Sequence, residues 1–284
     1  AQKAPKNPAP VKARKIAGNS NKSNPMANLS RVTIDTLRAK MRVFGVTRSE
    51  YWETRGGELE NDNFVVYYPP GEATITHGIY LLEEAEFARQ KFIKVFGTIP
   101  AEKLRLVTTL TMNEFKKRTG KDWWFYSDIS KDTLIFQPIY ILINRGLGPI
   151  GITHEISKWG VNKMSANNAP LWLVEGLSSF VSNERLILID QLREFKSIKM
   201  KMSPQEVEAA LKEKRKRSTT RIAYYNAFKM VEKLIGEYGP ERISEFTAAI
   251  GKTGEPQKAS QAVYDKSYET LLKISSKYAI NKKK

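Results

Sequence analysis

The spacing of apolar residues shifts along the chain, and each shift predicts a different kind of element. Residues 1–25 are rich in Pro, Asn, Lys and Ser and hold almost no large apolar side chain, too little to offset the entropy of ordering, so 1–28 reads as a flexible basic arm. A short amphipathic helix is expected over 34–43 and a Gly- and acid-containing connection over 56–63, making 29–63 a helix and connecting segment. Phe64-Val65-Val66-Tyr67-Tyr68, closed by Pro69-Pro70-Gly71, predicts a strand and a turn. Ile79, Leu82, Ala85, Ala88, Phe92 and Val95 recur at helical spacing and stop at Gly97, which predicts a helix over 79–95.

Residues 104–110 predict a second strand and 113–119 a helix ended by Gly120. Leu134-Ile135-Phe136 and the run 139–143 predict one broken or two short strands around Pro138. Beyond Gly146-Leu147-Gly148-Pro149 the pattern is almost wholly helical, with helices expected over 150–164, 171–189, 204–215, 222–238, 241–250 and 268–278. Gly239-Pro240 marks a boundary, because glycine accepts a left-handed cap and proline opens a new helix. The predicted fold class is α+β: a mixed β-sheet N-terminal lobe over 64–165, then a mainly helical C-terminal lobe over 166–284.

Charge changes the picture more than bulk composition does. The chain has a formal net charge of +17, and much of the excess sits in two segments. Residues 1–34 hold Lys3, Lys6, Lys12, Arg14, Lys15, Lys22 and Arg31 with no acid, and residues 196–221 hold nine basic residues against Glu206, Glu208 and Glu213. A nearly neutral body with basic appendages attracts an acidic protein partner or an anionic cell-surface polymer; solvated solubility tails are the plainer reading. Nucleic acid is not the expected partner, because the run Lys212 to Arg217 lacks interleaved aromatics and no reading motif is present. With no cysteine, disulfides and thiolate metal sites are excluded. The most apolar stretch, 134–143, is broken by Gln137 and Pro138 and is far shorter than a membrane span, so no transmembrane span is expected. The sequence opens on Ala1-Gln2, as a chain does after signal-peptide removal, and an exported, periplasmic or extracellular, secreted protein is the expectation.

Two local sequences carry candidate chemistry. In Thr153-His154-Glu155-Ile156-Ser157-Lys158-Trp159, positions 154 and 158 lie one turn apart on one helix face. Pro170-Leu171-Trp172-Leu173-Val174-Glu175-Gly176-Leu177 opens a helix that is apolar nearly all round, with Glu175 as its one ionisable group through Val181. A buried carboxylate there needs a partner. A carboxylate beside a His-Glu helix is how zinc hydrolases of the His-Glu-x-x-His type are built.

With Ala223-Tyr224-Tyr225-Asn226-Ala227 and Phe96-Gly97-Thr98-Ile99-Pro100, these blocks resemble the gluzincin zinc metallopeptidases, specifically the bacterial peptidase-MA-like group, over roughly 64–278. The resemblance implies a zincin-like fold, His154 and Glu175 as metal ligands, Glu155 as general base and Tyr224 as an oxyanion donor. The chain departs from the family motif at Lys158, which stands where the second histidine belongs and has no lone pair to offer. His77 is the only other histidine and lies far upstream. An ammonium between Glu155 and Glu175 replaces the charge of an absent ion, so no cofactor is expected, with zinc reserved for the alternative below.

Plainer readings stand beside these. His154 can be a core histidine satisfied by a backbone carbonyl, Glu155 can pair locally, one of Tyr224 and Tyr225 can be packing, and Trp123-Trp124-Phe125-Tyr126 is either a ligand-binding cluster or a hydrophobic plug. The leading expectation is a pseudopeptidase: a catalytically inactive metallopeptidase homologue acting as a binding or assembly subunit. Its cleft, bordered by the run 139–143 and the Glu155 helix, would hold a peptide segment by strand addition. The alternatives are an active zinc metallopeptidase with an altered ligand set and a binder of an anionic polymer.

Overall fold

Strand β2 (Phe64–Tyr68) is buried at every position but Tyr67, the profile of an interior strand rather than a half-solvated one. The computed structural model describes residues 56–130, 132–195, 200–214 and 216–278, all within one compact unit, Val46–Lys284. The sequence expectations for 1–55, the basic arm and the 34–43 helix among them, lie outside the described residues. In this unit β2 pairs antiparallel with β1 (Gly57–Glu60) and parallel with β3 (Leu104–Thr108). β3 pairs parallel with β5 (Thr133–Phe136), which pairs antiparallel with β4 (Ser127–Ser130). The order β1-β2-β3-β5-β4 is a five-stranded mixed sheet. Parallel neighbours need a crossover, which α1 (Glu72–Phe96) supplies between β2 and β3. It ends where Gly97 takes a left-handed conformation, φ 78°.

Three differences from the sequence reading lie in the sheet. The strand expected over 139–143 is instead a helix, α3 (Ile139–Asn144). Alternating β-branched residues imitate a strand there, but Ile139 and Leu142 are buried while Tyr140 and Ile143 are exposed, a spacing of three rather than two. Pro138, lacking an N–H, ends the ladder and serves as N-cap. The sheet edge is instead β4, Ser127-Asp128-Ile129-Ser130, too polar to read as a strand because one side of an edge strand need not be apolar. β1 was expected to be part of a connection.

The remainder is helical: α2 (Met112–Thr119), α4 (Gly148–Met164), α5 (Leu171–Val181), α6 (Arg185–Leu192), α7 (Pro204–Glu213), α8 (Arg217–Tyr238), α9 (Pro240–Thr253), α10 (Pro256–Tyr264) and α11 (Tyr268–Ser275). The protein is thus mixed, with the small sheet on the N-terminal side and a predominantly helical C-terminal part. The single helix expected over 171–189 is two, because Asn183 adopts φ 59°, a left-handed position that asparagine tolerates and that redirects the chain. Helix α10 was not anticipated. No helix among the described residues is long and apolar enough to cross a membrane.

Helix α5 packs against both α4 and α8. Its approach to α8 is set by Gly176, where an added Cβ would lie 2.5 Å from the Ala227 carbonyl oxygen and 2.7 Å from Val231 Cγ2. Gly176→Ala should therefore force the helices apart and cost about 1–3 kcal/mol, the usual range for overpacking. Thermal unfolding checks this: a melting temperature lowered by several degrees is the expected outcome.

Candidate functional site

Helix α4 is buried continuously from Gly151 to Ser157, so polar side chains on that stretch have to find partners inside the protein. His154 sits there with 4% of its surface exposed. Its Nε2 lies 3.1 Å from Glu175 Oε2 on α5, and its Nδ1 lies 3.1 Å from Glu184 Oε1 at the start of α6. The Asn183 turn brings Glu184 to this point, and Ser179 Oγ donates to its other carboxylate oxygen at 2.8 Å. The partner of His154 is thus a pair of carboxylates rather than a backbone carbonyl.

Glu175 is fully buried. Lys158, one turn beyond His154, donates from Nζ to Glu175 Oε1 at 2.8 Å, and Lys214 donates to the same oxygen at 3.1 Å. Lys214 arrives from the end of α7, where it caps the helix in a left-handed conformation, φ 48°. Two ammonium groups and an imidazole therefore converge on one carboxylate.

The charges reinforce one another. Burial disfavours a charged imidazole, but Glu184, the contact with Glu175 and nearby Glu155 outweigh it and raise the His154 pKa well above its usual 6.5. Burial likewise pushes the Glu175 carboxyl up, and Lys158, Lys214 and His154 overcome it to hold that group well below its usual 4.5. Both lysines are lifted above the ordinary range against the penalty of burial, chiefly by the charge of Glu175. Lys158 and Lys214 thus pair with Glu175, and His154 lies between Glu175 and Glu184.

A small cavity of about 20 Å³, room for roughly one water molecule, adjoins this network. Glu155 lines it together with Trp124, Tyr126, Arg221 and Tyr224. Glu155 is 8% exposed and, among the described residues, makes no hydrogen bond or ion pair. Tyr126 and Tyr224 meet the His154 ring edge-on, centroids 6.0 and 6.2 Å away. Arg221 Nη2 donates to the Trp124 carbonyl at 2.9 Å and its guanidinium lies over the Trp124 ring.

The structure thus gathers His154, Glu155, Lys158, Glu175 and Tyr224 into one site. His77 is not part of it; its ring lies 6.1 Å from that of Tyr140. Sequence reasoning overlooked Glu184, Ser179, Lys214 and Arg221. The last two lie in the 196–221 segment, which was read as a basic appendage yet turns part of its charge inward. A buried carboxylate facing only one lysine in sequence was the available sign that another cation had to come from elsewhere.

No family model and no curated protein matches the chain.

The donor set as arranged does not suit zinc. Both ring nitrogens of His154 already face carboxylate oxygens at 3.1 Å, and Glu175 Oε1 already accepts from two ammonium groups. A divalent ion on that carboxylate would also sit beside both lysines, and each unit of like charge at about 4 Å repels by roughly 4 kcal/mol at an effective dielectric near 20.

Two outcomes follow for stability. Lys158→Met should destabilise by about 3 kcal/mol, the low end for breaking a buried pair, because Lys214 stays on Glu175; denaturant titration measures it, and adding Lys214→Met should cost more than the sum of the singles. The pH profile has a defined sign. The His154 contribution is complete below pH 6.5 and declines as pH rises toward its raised folded pKa, and the Glu175 contribution is complete above pH 4.5 and declines as pH falls toward its depressed one. Stability from this network should peak between those values, and His154→Gln should flatten the fall above pH 6.5.

Proposed function

We propose that this protein is a zincin-like pseudopeptidase, a gluzincin relative that works as a binding or assembly subunit without metal and without peptide hydrolysis. The observation that carries the reading is the fully buried carboxylate of Glu175, which accepts from Lys158 at 2.8 Å and from Lys214 at 3.1 Å where a metal-ligating glutamate would need free lone pairs. In this reading His154 and Glu175 are relict ligands, and Glu155 and Tyr224 keep the positions of a general base and an oxyanion donor without the ion that would give those roles meaning.

The peptide-holding edge is β4 rather than the run 139–143. β4 pairs with β5 on one side only, and Tyr126, immediately before it, lines the cavity beside Glu155. An extended segment adding to that edge would pass over the altered site, with main-chain hydrogen bonds supplying affinity. The expected partner remains an acidic protein or anionic cell-surface polymer, in an exported setting.

The test is metal content and activity together. Full-length protein purified without chelators should carry less than about a tenth of an equivalent of zinc, because two protein ligands fall short of the three an open catalytic site needs. Lys158→His combined with Lys214→Met should gain measurable zinc affinity by calorimetry. Stoichiometric zinc in the unmodified protein, with peptide hydrolysis abolished by Glu155→Gln, would establish the alternative of an active enzyme with an altered ligand set.

A further inference from the structure

The run Trp123-Trp124-Phe125-Tyr126 does more than plug the sheet. Trp124 and Phe125 stack with centroids 3.8 Å apart, and Trp124 is buried, whereas Trp123 keeps 51% of its surface exposed. Cations from three other parts of the fold are laid on these rings. The guanidiniums of Arg145, just after α3, and Arg217, at the start of α8, each lie 5.1 Å from the Trp123 centroid. Lys214 approaches Phe125 at 5.9 Å from one element and Lys121 at 5.5 Å from its own loop.

The basic segment lacks aromatics along the sequence, which argued against nucleic acid. Folding removes that objection, because the aromatics arrive from a loop some ninety residues upstream and interleave with the cations in space. We propose that the surface centred on Trp123, Arg145 and Arg217 binds single-stranded nucleic acid. The proposal is independent of the metal question, since none of these three residues takes part in the Glu175 network.

One observation points to planar bases and two to phosphates. A half-exposed indole with guanidinium planes over its ring offers a stack that bases can extend without regard to sequence. Arg145 has no carboxylate partner among the described residues; its Nη1 donates to the Trp123 carbonyl at 3.1 Å, which fixes its plane against the ring. Arg217 has an Nε that is buried and unpaired, although its Nη2 lies 3.2 Å from Glu194. The remaining acids close by are engaged, Asp122 with Lys116 and Asp128 with Lys121, so the uncompensated charge of the patch is positive.

The experiment uses the full chain with a fluorescently labelled oligo(dT) of about twelve nucleotides, followed by anisotropy from 50 to 200 mM salt. Binding should weaken with salt at a slope of about −0.7 per phosphate neutralised. Trp123→Ala should weaken binding about tenfold and leave the slope unchanged, as loss of stacking does. Arg145→Gln should reduce the slope by about 0.7. Circular dichroism melts confirm that each variant is folded, and Trp123→Phe should restore part of the affinity. The proposal is overturned if the oligonucleotide does not bind at 50 mM salt. It is equally overturned if Trp123→Ala binds as tightly as the unmodified protein while dextran sulfate competes as well as the oligonucleotide per charge, which would mark an anionic-polymer surface instead.

Discussion

One buried carboxylate sets the terms for the helical part of this protein. Glu175 has no access to water, and an ionised carboxylate in such a place is sustainable only when its lone pairs are filled and its charge is matched. Lys158, Lys214 and His154 perform both tasks, and each comes from a different distance along the chain: the neighbouring helix α4 supplies two of them, and the end of α7 supplies the third. A pair of this kind contributes little net stability compared with a well-packed apolar core, but it penalises every arrangement that leaves one member alone. Its effect is to fix α4, α5 and the α7–α8 connection in one register.

That register depends on backbone details as much as on charge. Gly176 immediately follows Glu175 and lets α8 come close enough for Tyr224 to sit beside His154. The left-handed Asn183 turns the chain so that Glu184 caps the far side of the imidazole, and the left-handed Lys214 swings its ammonium back toward α5. A close helix contact, two left-handed turns and the ion pairs of Glu175 and Glu184 thus form one unit.

How much of this was legible in the sequence follows from which forces are local. The helices α4, α5 and α8 could be read because their apolar positions recur at helical spacing, and Glu175 stood out because an acid in an all-apolar helix has to be matched. Lys158 as its partner was also readable, being one turn from His154. Glu184 and Lys214 were not, because their approach is set by single left-handed residues, and an asparagine or lysine in that conformation leaves no periodic trace. The 139–143 helix was misread for a different reason: β-branched residues at alternate positions favour a strand locally, and only the packing of Ile139 and Leu142 into the core decides for a helix. The polar edge strand β4 was missed because nothing buries its outer face.

The same distinction governs the basic residues of the 200–221 stretch. A run of lysines and arginines is ordinarily a solvated face, and linear sequence offers no reason to depart from that. Here the fold divides the run by depth: Lys214 is spent on Glu175, Arg221 on the Trp124 carbonyl and ring, and Arg217 lies at the rim against Trp123. Charges that look equivalent along the chain therefore have different fates, set by which of them can reach an acceptor that is already buried. Lys214 matches the charge of Glu175, Arg221 satisfies a backbone carbonyl, and Arg217 keeps a fixed position over Trp123 instead of moving freely in solvent. A surface whose cations are immobilised in this way loses less entropy on meeting a ligand than a flexible lysine tail does, which is the physical link between the buried network and the exposed patch above it.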